Sequence, residues 1–326
     1  MTQMTLEHRA FLYRGVEDFL RVTEPFLRAG ARAGEAIVAV VREPGLSALR
    51  DSLSDLKGQV DFYDSDAFYR HPVRTLKQYH ELVKAMAPRR VRALAEPVWH
   101  GWDAREAVEW ARYESLINVV FGGVDALALC PYDRASLPEA VLDQARRTHP
   151  LLLDDGAAVR SDRYVDPAVF GDDCDRARRA NGRPADAEYL PVESDLVPVR
   201  LFVGERAVRL GADERSARNL VTAVNEVVAN ALAHGCPPVG LWMWRDGPDV
   251  VCEVGDHGLW RPRPSSLTGF IPPCSALDRG FGLWTVRLLV DHMEVRAGWD
   301  GTFVRLYTAC AGDADAGDRP APGGAA

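Results

Sequence analysis

The first half of the chain alternates short apolar runs with stretches whose apolar residues recur at helical spacing. The clearest run, AIVAVV at 36–41, is continuous, which is typical of a strand buried on both faces of a parallel sheet. The pattern predicts strands at 11–13, 36–41, 60–63, 91–95 and 127–130, and helices at 17–28, 46–56, 72–87 and 104–121. Strands that alternate with helices predict an N-terminal α/β layered domain with a mainly parallel sheet.

The second half orders its elements differently. Its longest amphipathic stretch begins after Asp213, a favourable N-cap, and stops at Gly235, so we predict a helix at 214–234. The remaining pattern predicts helices at 199–210 and 283–290, and strands at 239–245, 249–256, 293–297 and 302–308. Helices on one face of a mixed or antiparallel sheet form an α+β sandwich, which we expect for the C-terminal domain.

These two patterns predict one domain at 1–165 and a second at 193–310. The segment 166–192 between them is rich in Asp, Arg, Pro and Gly and has little apolar periodicity, so we expect a linker with at most short helical pieces. After residue 310 the chain consists mainly of Gly, Ala, Pro and Asp, and we expect 311–326 to be a disordered tail.

Composition and charge restrict the class of function. The chain has 326 residues, of which 47% are hydrophobic and 26% charged, as in globular proteins with two domains. No apolar run approaches ~20 residues and no signal peptide is evident, so we expect no membrane span. The six cysteines include no Cys-x-x-Cys pair, which fits a cytoplasmic location. A net charge of −8 argues against direct binding of nucleic acid.

Three polar residues share one face of the predicted helix at 214–234. Glu226, Asn230 and His234 are spaced one turn apart, so their side chains point in the same direction. A carboxylate one turn before a carboxamide suits a hydrated magnesium ion beside a general base. Taken alone, the pattern is more typical of a solvated helix face, and the two motifs that follow decide between these interpretations.

The two later motifs have the residues that a nucleotide site needs. Asp256 ends a predicted strand, where its carboxylate can accept the adenine amino group, and Gly258 lets the base approach the backbone closely. The residues 278–283, DRGFGL, then open an amphipathic run. Backbone N–H groups at a helix start, together with the helix dipole, bind phosphate. Each motif is common by chance, but the three in this order predict a nucleotide site.

With these motifs, residues 196–308 resemble a GHKL-type ATPase domain of the anti-sigma-factor serine kinase kind. The N-box matches 225–230, the G1 box 256–258 and the G2 box 280–283. The resemblance implies ATP and Mg²⁺ as cofactors, Asn230 as the magnesium ligand, Asp256 as the adenine-binding residue and Glu226 as the catalytic base. It also implies that the remaining contacts to ATP come from Gly258, Arg279, Gly280, Gly282 and Leu283.

The same resemblance implies a protein that regulates transcription through signal transduction. It would be a serine/threonine kinase and anti-sigma factor that holds a sigma factor and phosphorylates a STAS-type anti-sigma antagonist, and such kinases usually form homodimers. An alternative is an ATP-gated binding module without kinase activity. A sensor histidine kinase is a third interpretation, but residues 154–198 leave no room for a dimerising hairpin of two long helices.

The N-terminal domain has polar and aromatic residues near the predicted carboxyl ends of its strands, where parallel sheets bind ligands. From these we predict a sensory pocket at Trp99, Tyr113, Glu114, Asn118, Cys130 and Tyr132. The domain resembles the MEDS sensory domain, through motifs that include His8, Tyr13, Glu96-Pro97, Tyr113-Glu114, Cys130-Pro131 and His149-Pro150. The resemblance implies that this domain senses an unknown small molecule. The alternative is that these residues are loop prolines and core aromatics.

Overall fold

A computed structural model of the chain describes residues 6–99, 104–154, 156–177, 182–258, 269–270, 281–298 and 300–311. Residue contacts divide the chain into two compact units, Met1–Cys174 and Asp175–Ala326. Among the described helices, none is both long enough and apolar enough to cross a lipid bilayer.

The first unit is built on one large sheet. Its strands are β1 (Glu7–Tyr13), β2 (Ala36–Val41), β3 (Val60–Asp64), β4 (Val91–Ala95), β5 (Ala126–Asp133), β6 (Leu151–Asp154) and β7 (Ala157–Arg160). Their order is β3-β2-β4-β5-β1-β6-β7. Neighbouring strands pair in parallel, except that β6 and β7 form an antiparallel hairpin. The predicted α/β fold with a mainly parallel sheet is confirmed.

Helices cover both faces of this sheet. They are α1 (Gly15–Ala33), α2 (Gly45–Ser52), α3 (Ser65–Phe68), α4 (Pro72–Met86), α5 (Ala104–Val120), α6 (Glu139–Thr148) and α7 (Pro167–Ala177). Strand β2 shows why two layers are needed, because side chains along a strand point alternately to opposite faces. Ile37 and Ala39 pack in one core with residues of α1 and α2. Val38 and Val40 pack in the other core with residues of α4, α5 and α6.

Two expectations for the first unit need correction. The run 127–130 does not form the last strand of the sheet, because β6 and β7 follow it on the other side of β1. These strands have four residues each, which is too short for a periodic pattern. The expected linker also begins with α7, and its Phe170 and Cys174 are buried against Ala111 of α5.

The second unit is an antiparallel sheet with helices on one face. Its strands are β8 (Glu188–Val192), β9 (Val239–Asp246), β10 (Asp249–Asp256), β11 (His292–Gly298) and β12 (Gly301–Ala309), and its helices are α8 (Val197–Leu210), α9 (Glu214–His234) and α10 (Phe281–Leu289). The sheet order is β11-β12-β10-β9-β8, with every neighbouring pair antiparallel. The predicted α+β sandwich is confirmed.

The two faces of this sheet carry different side chains. Val250 and Val254 of β10 point into the core formed with α8, α9 and α10. Residues between them point the other way, where Val251 packs with aromatic side chains and Glu253 forms a 2.6 Å ion pair with Arg305. This alternation places the buried helical layer on one side only.

Strand β8 is a further correction, because Glu188–Val192 lies within the expected linker. It pairs with β9 and therefore belongs to the sheet of the second unit. Pro191 explains why the sequence pattern does not predict a strand here, since proline lacks the N–H group and is tolerated only at a sheet edge. The expected disordered tail falls almost wholly outside the described residues, which end at Ala311.

Candidate functional site

Helix α9 presents the polar face that the sequence predicts. Its N-cap is Asp213, whose side chain accepts a 2.7 Å hydrogen bond from the backbone N–H of Ser216. Glu226 and Asn230 are partly buried, whereas His234 at the helix end is exposed. The opposite face of α9 lies in the hydrophobic core. The packing of that apolar face therefore fixes the direction in which Glu226 and Asn230 point.

The start of helix α10 lies against this polar face. A methyl group placed on Gly282, the second residue of α10, would lie 2.9 Å from Glu226 Oε2 and 3.7 Å from Asn230 Nδ2. The first distance is too short for a carbon–oxygen contact, so a residue without a side chain permits this approach. Glu226 and Asn230 thus lie beside a helix N-terminus, where free N–H groups and the helix dipole favour anions.

A second polar group is fixed at the end of β10. Asp256 is buried, and its Oδ1 accepts hydrogen bonds from the backbone N–H of Cys236 at 3.1 Å and of Gly258 at 2.6 Å. The hydroxyl of Thr302 donates to the carbonyl oxygen of Gly258 at 2.7 Å. Because both backbone donors use Oδ1, neither bond occupies Oδ2. The carboxylate is therefore held in one orientation with an oxygen that can accept another donor.

Glycines let three segments meet around Asp256. A methyl group on Gly235 would lie 2.5 Å from the Asp256 carboxyl carbon, and one on Gly301 would lie 2.0 Å from the Asp256 carbonyl oxygen. Gly301 also has φ +124°, a backbone conformation that side chains disfavour. The end of α9, the end of β10 and the start of β12 therefore converge at one point. Thr302 is a contributor to this point that the sequence motifs do not indicate.

Part of the predicted ATP site falls outside the described residues. Arg279 and Gly280 belong to that part. So does the Pro-rich segment 261–278, which we expect to be a lid over the nucleotide, except for Gly269 and Phe270. Leu283 is described, and its side chain packs against the hydrophobic core of the second unit. The roles of Arg279, Gly280 and Leu283 in binding ATP stay predictions.

The described part of the site has the chemistry that an adenine nucleotide requires. Asp256 can accept a hydrogen bond from an exocyclic amino group, and the start of α10 offers N–H groups for phosphate. Asn230 can supply a neutral oxygen ligand to magnesium, and Glu226 is a carboxylate within the same cluster. The close approach at Gly282 supports the fit, since it brings the anion-binding helix terminus to the two residues that would serve the metal and the reacting groups.

The first unit has a pocket of about 150 Å³ at the carboxyl ends of β1, β2, β4 and β5. Tyr13 donates a 2.7 Å hydrogen bond to Glu96 Oε1, and the backbone N–H of Arg42 donates to Oε2 at 2.9 Å. Burial raises the pKa of the Glu96 carboxyl. Of the six residues predicted for a sensory pocket, Trp99 lines this one.

The other predicted residues lie deeper, beside a separate cavity of about 50 Å³. Tyr113, Glu114 and Cys130 line that cavity together with His8. Asn118 is adjacent, because its Oδ1 lies 3.1 Å from His8 Nδ1. The sixth residue, Tyr132, is fully buried, with its ring centroid 6.1 Å from that of Trp99 and 5.7 Å from that of His149. The predicted pocket is thus divided between two places in the structure.

Burial controls the charges of the side chains beside the smaller cavity. It raises the pKa of the Glu114 carboxyl to about 8 and lowers the pKa of the His8 imidazole to about 4. Burial also holds the pKa of His149 well below its usual value, and His8 lowers it further. Both imidazoles are therefore neutral at pH 7.

His8 and His149 belong to this group although the prediction of the pocket omits them. The resemblance to MEDS includes both, but they are far apart in sequence, on β1 and directly after α6. Their ring centroids lie 4.0 Å apart. The sheet order brings them together, since β1 lies between β5 and β6. A signal in the sequence is that His8 lies on the same face of β1 as Ala10 and Leu12, which are apolar.

Comparison with known protein families agrees with both units. Residues 7–150 match the model described as MEDS, the methanogen/methylotroph, DcmR sensory domain. Residues 191–308 match the model of the histidine kinase-like ATPase domain. The chain therefore has an N-terminal MEDS domain and a C-terminal histidine kinase-like ATPase domain, a domain class that binds ATP. No curated protein shows a significant match to the chain.

Solved structures with local similarity include the RsbU and RsbW domains of a Mycobacterium tuberculosis protein, at 20% identity and TM-score 0.29, over 39% of this chain and 33% of that one. A blue-light activated histidine kinase from Erythrobacter litoralis matches at 24% identity and TM-score 0.23, over 31% of this chain and 32% of that one. The histidine kinase AdeS of Acinetobacter baumannii matches at 11% identity and TM-score 0.24, over 64% of this chain and 96% of that one. The chain spans about a third of the length of the first two.

Proposed function

We propose that the protein is a serine/threonine kinase and anti-sigma factor that phosphorylates a STAS-type antagonist and also binds a sigma factor. The observation that carries this proposal is the carboxylate of Glu226 beside Gly282 at the start of α10. A domain that only binds ATP needs groups for adenine, phosphate and magnesium. It does not need a carboxylate at the helix terminus where the phosphates would bind, whereas phosphoryl transfer to a hydroxyl does.

Each residue of the site then has a separate task. Mg²⁺–ATP, when bound, supplies the phosphoryl group and a cation that neutralises developing charge. Asp256 accepts a hydrogen bond from the adenine amino group, and Asn230 contributes an oxygen ligand to the cation. The N–H groups at the start of α10 hold phosphate oxygens. Glu226 accepts the proton of the attacking serine or threonine hydroxyl.

We further propose that the MEDS domain controls this activity in response to a small molecule. Two cavities in the first unit support a ligand-binding role, and the one at the strand ends has polar walls formed by Tyr13, Arg42 and Glu96. By the resemblance stated above, the active form would be a homodimer. A ligand can shift the equilibrium between the active and inactive states only by the ratio of its affinities for those two states.

The test of the kinase proposal is phosphoryl transfer from radiolabelled ATP, with magnesium, to candidate antagonist proteins from the same genome. Glu226→Gln keeps the shape of the side chain but removes the base, so we expect transfer to fall ~10²-fold or more while ATP binding is retained. Glu214→Gln is the matched control, because it makes the same change in the exposed first turn of the same helix.

The outcomes distinguish the proposed kinase from the ATP-gated binding module. Equal transfer by the Glu226→Gln variant and the parent would exclude the base role. If the parent binds ATP but labels no antagonist, the gated module is favoured. Mapping a label onto histidine of the protein itself would favour the histidine kinase.

A further inference from the structure

We propose that four buried side chains of the first unit, His8, Glu114, Cys130 and His149, bind a divalent transition-metal ion. Each offers one ligand atom, and these four atoms all lie within 4.8 Å of one another. The four residues come from β1, α5, β5 and the residue after α6. A bound ion would therefore connect the sheet to two of the helices that cover it.

Three of the six separations between ligand atoms are close to those of a tetrahedral site. His8 Nε2 lies 3.4 Å from Cys130 Sγ and 3.8 Å from Glu114 Oε2, and His149 Nε2 lies 3.5 Å from Glu114 Oε2. Metal–ligand bonds of about 2.0–2.3 Å at tetrahedral angles separate the ligand atoms by ~3.3–3.7 Å. The other three separations are no longer than 4.8 Å, so an ion can be accommodated with side-chain shifts of up to about 1 Å.

Both imidazoles have their second nitrogen fixed by an oxygen atom. His8 Nδ1 lies 3.1 Å from Asn118 Oδ1, and His149 Nδ1 lies 2.8 Å from the carbonyl oxygen of Ala145. An oxygen acceptor at Nδ1 assigns the proton to that nitrogen, so the lone pair is at Nε2 in both rings. Metal-binding histidines are oriented in this way by hydrogen bonds to the nitrogen that does not bind the metal.

Two of the ligand atoms lack hydrogen-bond partners among the described residues. Glu114 Oε2 and His149 Nε2 are both buried, and neither has a described partner of ordinary hydrogen-bond geometry, although the Tyr132 hydroxyl lies near the Glu114 carboxyl. Their mutual separation of 3.5 Å is too long for an ordinary hydrogen bond. An unsatisfied buried carboxylate oxygen and imidazole nitrogen destabilise a fold, and a shared cation satisfies both.

The donor atoms identify the class of ion. Two imidazole nitrogens, a thiol sulfur and a carboxylate oxygen suit zinc, ferrous iron or cobalt rather than magnesium or calcium, which prefer oxygen ligands alone. Cys130 binds such an ion as the thiolate and Glu114 as the carboxylate, so binding at neutral pH releases the protons of both groups to solvent. Three of the proposed metal ligands, His8, Glu114 and Cys130, line the adjoining cavity of about 50 Å³. A small molecule in that cavity would lie next to the ion.

The test uses the untagged full-length protein, treated with chelator, and cobalt(II) as the probe. We expect one cobalt per chain, visible bands of the intensity typical of tetrahedral sites, and a thiolate-to-cobalt charge-transfer band in the near ultraviolet. Cys130→Ser should remove the charge-transfer band. Cys174→Ser is the matched control, because Cys174 is another buried cysteine of the same unit that lies outside the cluster.

Two further variants keep the test decisive if Cys130→Ser does not fold. Glu114→Gln keeps the shape of the side chain and should weaken cobalt binding. Asn118→Ala acts through the orientation of His8 and should reduce cobalt affinity ~10- to 100-fold without changing the donor set seen in the spectrum. Absence of stoichiometric cobalt binding by the parent, or a charge-transfer band that persists in folded Cys130→Ser, would overturn the proposal. Zinc found by mass spectrometry in protein purified without chelator would support it.

Discussion

At the scale of single residues, Asp256 shows how backbone geometry prepares a side chain for recognition. Two N–H groups bind its Oδ1, and three glycine-containing segments close around it. A carboxylate held in this way loses little further conformational freedom when a ligand binds. Oδ2, which neither of those bonds uses, is the atom we expect to meet the adenine amino group.

Asp256→Asn is therefore expected to weaken ATP binding while the domain stays folded. The amide oxygen can still accept the two backbone bonds, but the amide nitrogen cannot accept a bond from an amino group. A hydrogen bond to a charged group contributes about 1.5–3 kcal/mol, which corresponds to a Kd raised ~10- to 100-fold. Calorimetry in magnesium buffer measures this, with Asp246→Asn, an exposed carboxylate at the far end of the β9–β10 hairpin, as the control. An unchanged Kd would remove Asp256 from the adenine site.

Asp256 and Gly258 were predictable from sequence because they lie in one short contiguous motif, whereas Gly301 and Thr302 reach this point only through the pairing of β12 with β10. The four proposed metal ligands were not predictable either, since only the order of strands in the sheet brings His8 near Glu114 and His149. Glu114 and Cys130 were predicted as pocket residues, but the strand ends where we expected them are occupied by Tyr13, Arg42 and Glu96. Spacing along the chain carries no information on such contacts.

At the scale of elements, the position of α10 against α9 is what assembles the proposed kinase site. A methyl group at position 282 would lie 2.9 Å from Glu226 Oε2 in its present position, which is shorter than an ordinary carbon–oxygen contact. An alanine at this position has a higher helix propensity than glycine, so it need not lower stability. Its methyl group would instead displace the carboxylate of Glu226, which is the free end of a flexible side chain.

Gly282→Ala is accordingly expected to leave the thermal midpoint nearly unchanged and to lower phosphoryl transfer about 10- to 100-fold, because misplacement of a reacting group by ~1 Å has effects of this size. The control is Gly204→Ala in α8, where the added methyl would lie 3.7 Å from Val221 Cγ2, an ordinary contact. Transfer and melting should be measured on the same samples. If Gly282→Ala transferred phosphate at the full rate, the observed position of the Glu226 carboxylate would not be required for phosphoryl transfer.

The longest helix was predicted well, whereas helix α6 (Glu139–Thr148) and three short strands were missed. The helix predicted at 214–234 has the observed bounds, because it has a side-chain cap and an extended apolar face. Strands β6, β7 and β8 have four or five residues, and their hydrogen bonds with neighbouring strands, rather than any periodicity of their own, define them. A pattern over four residues does not distinguish a strand from a loop.

At the scale of the whole molecule, β8 determines where the ATPase unit can be separated from the rest. It covers the edge of β9, and Arg183, which precedes it, lies with its guanidinium carbon 3.4 Å from the centre of the Trp242 ring. Arg183 also forms an ion pair with Glu253. The domain we predicted to start at residue 193 therefore lacks part of its own sheet.

A fragment of residues 182–311 is expected to fold and to bind ATP with the Kd of the full chain, whereas 193–311 should melt at a temperature lower by roughly 5 °C or more. The shorter fragment exposes the backbone groups of β9, so it should also associate at higher concentrations. Thermal melts, light scattering and calorimetry on both fragments measure these properties. If 193–311 matches 182–311 in all three, β8 does not contribute to the unit. If neither fragment folds, the ATPase unit depends on residues of the first unit, and the division of the chain after Cys174 does not describe independent domains.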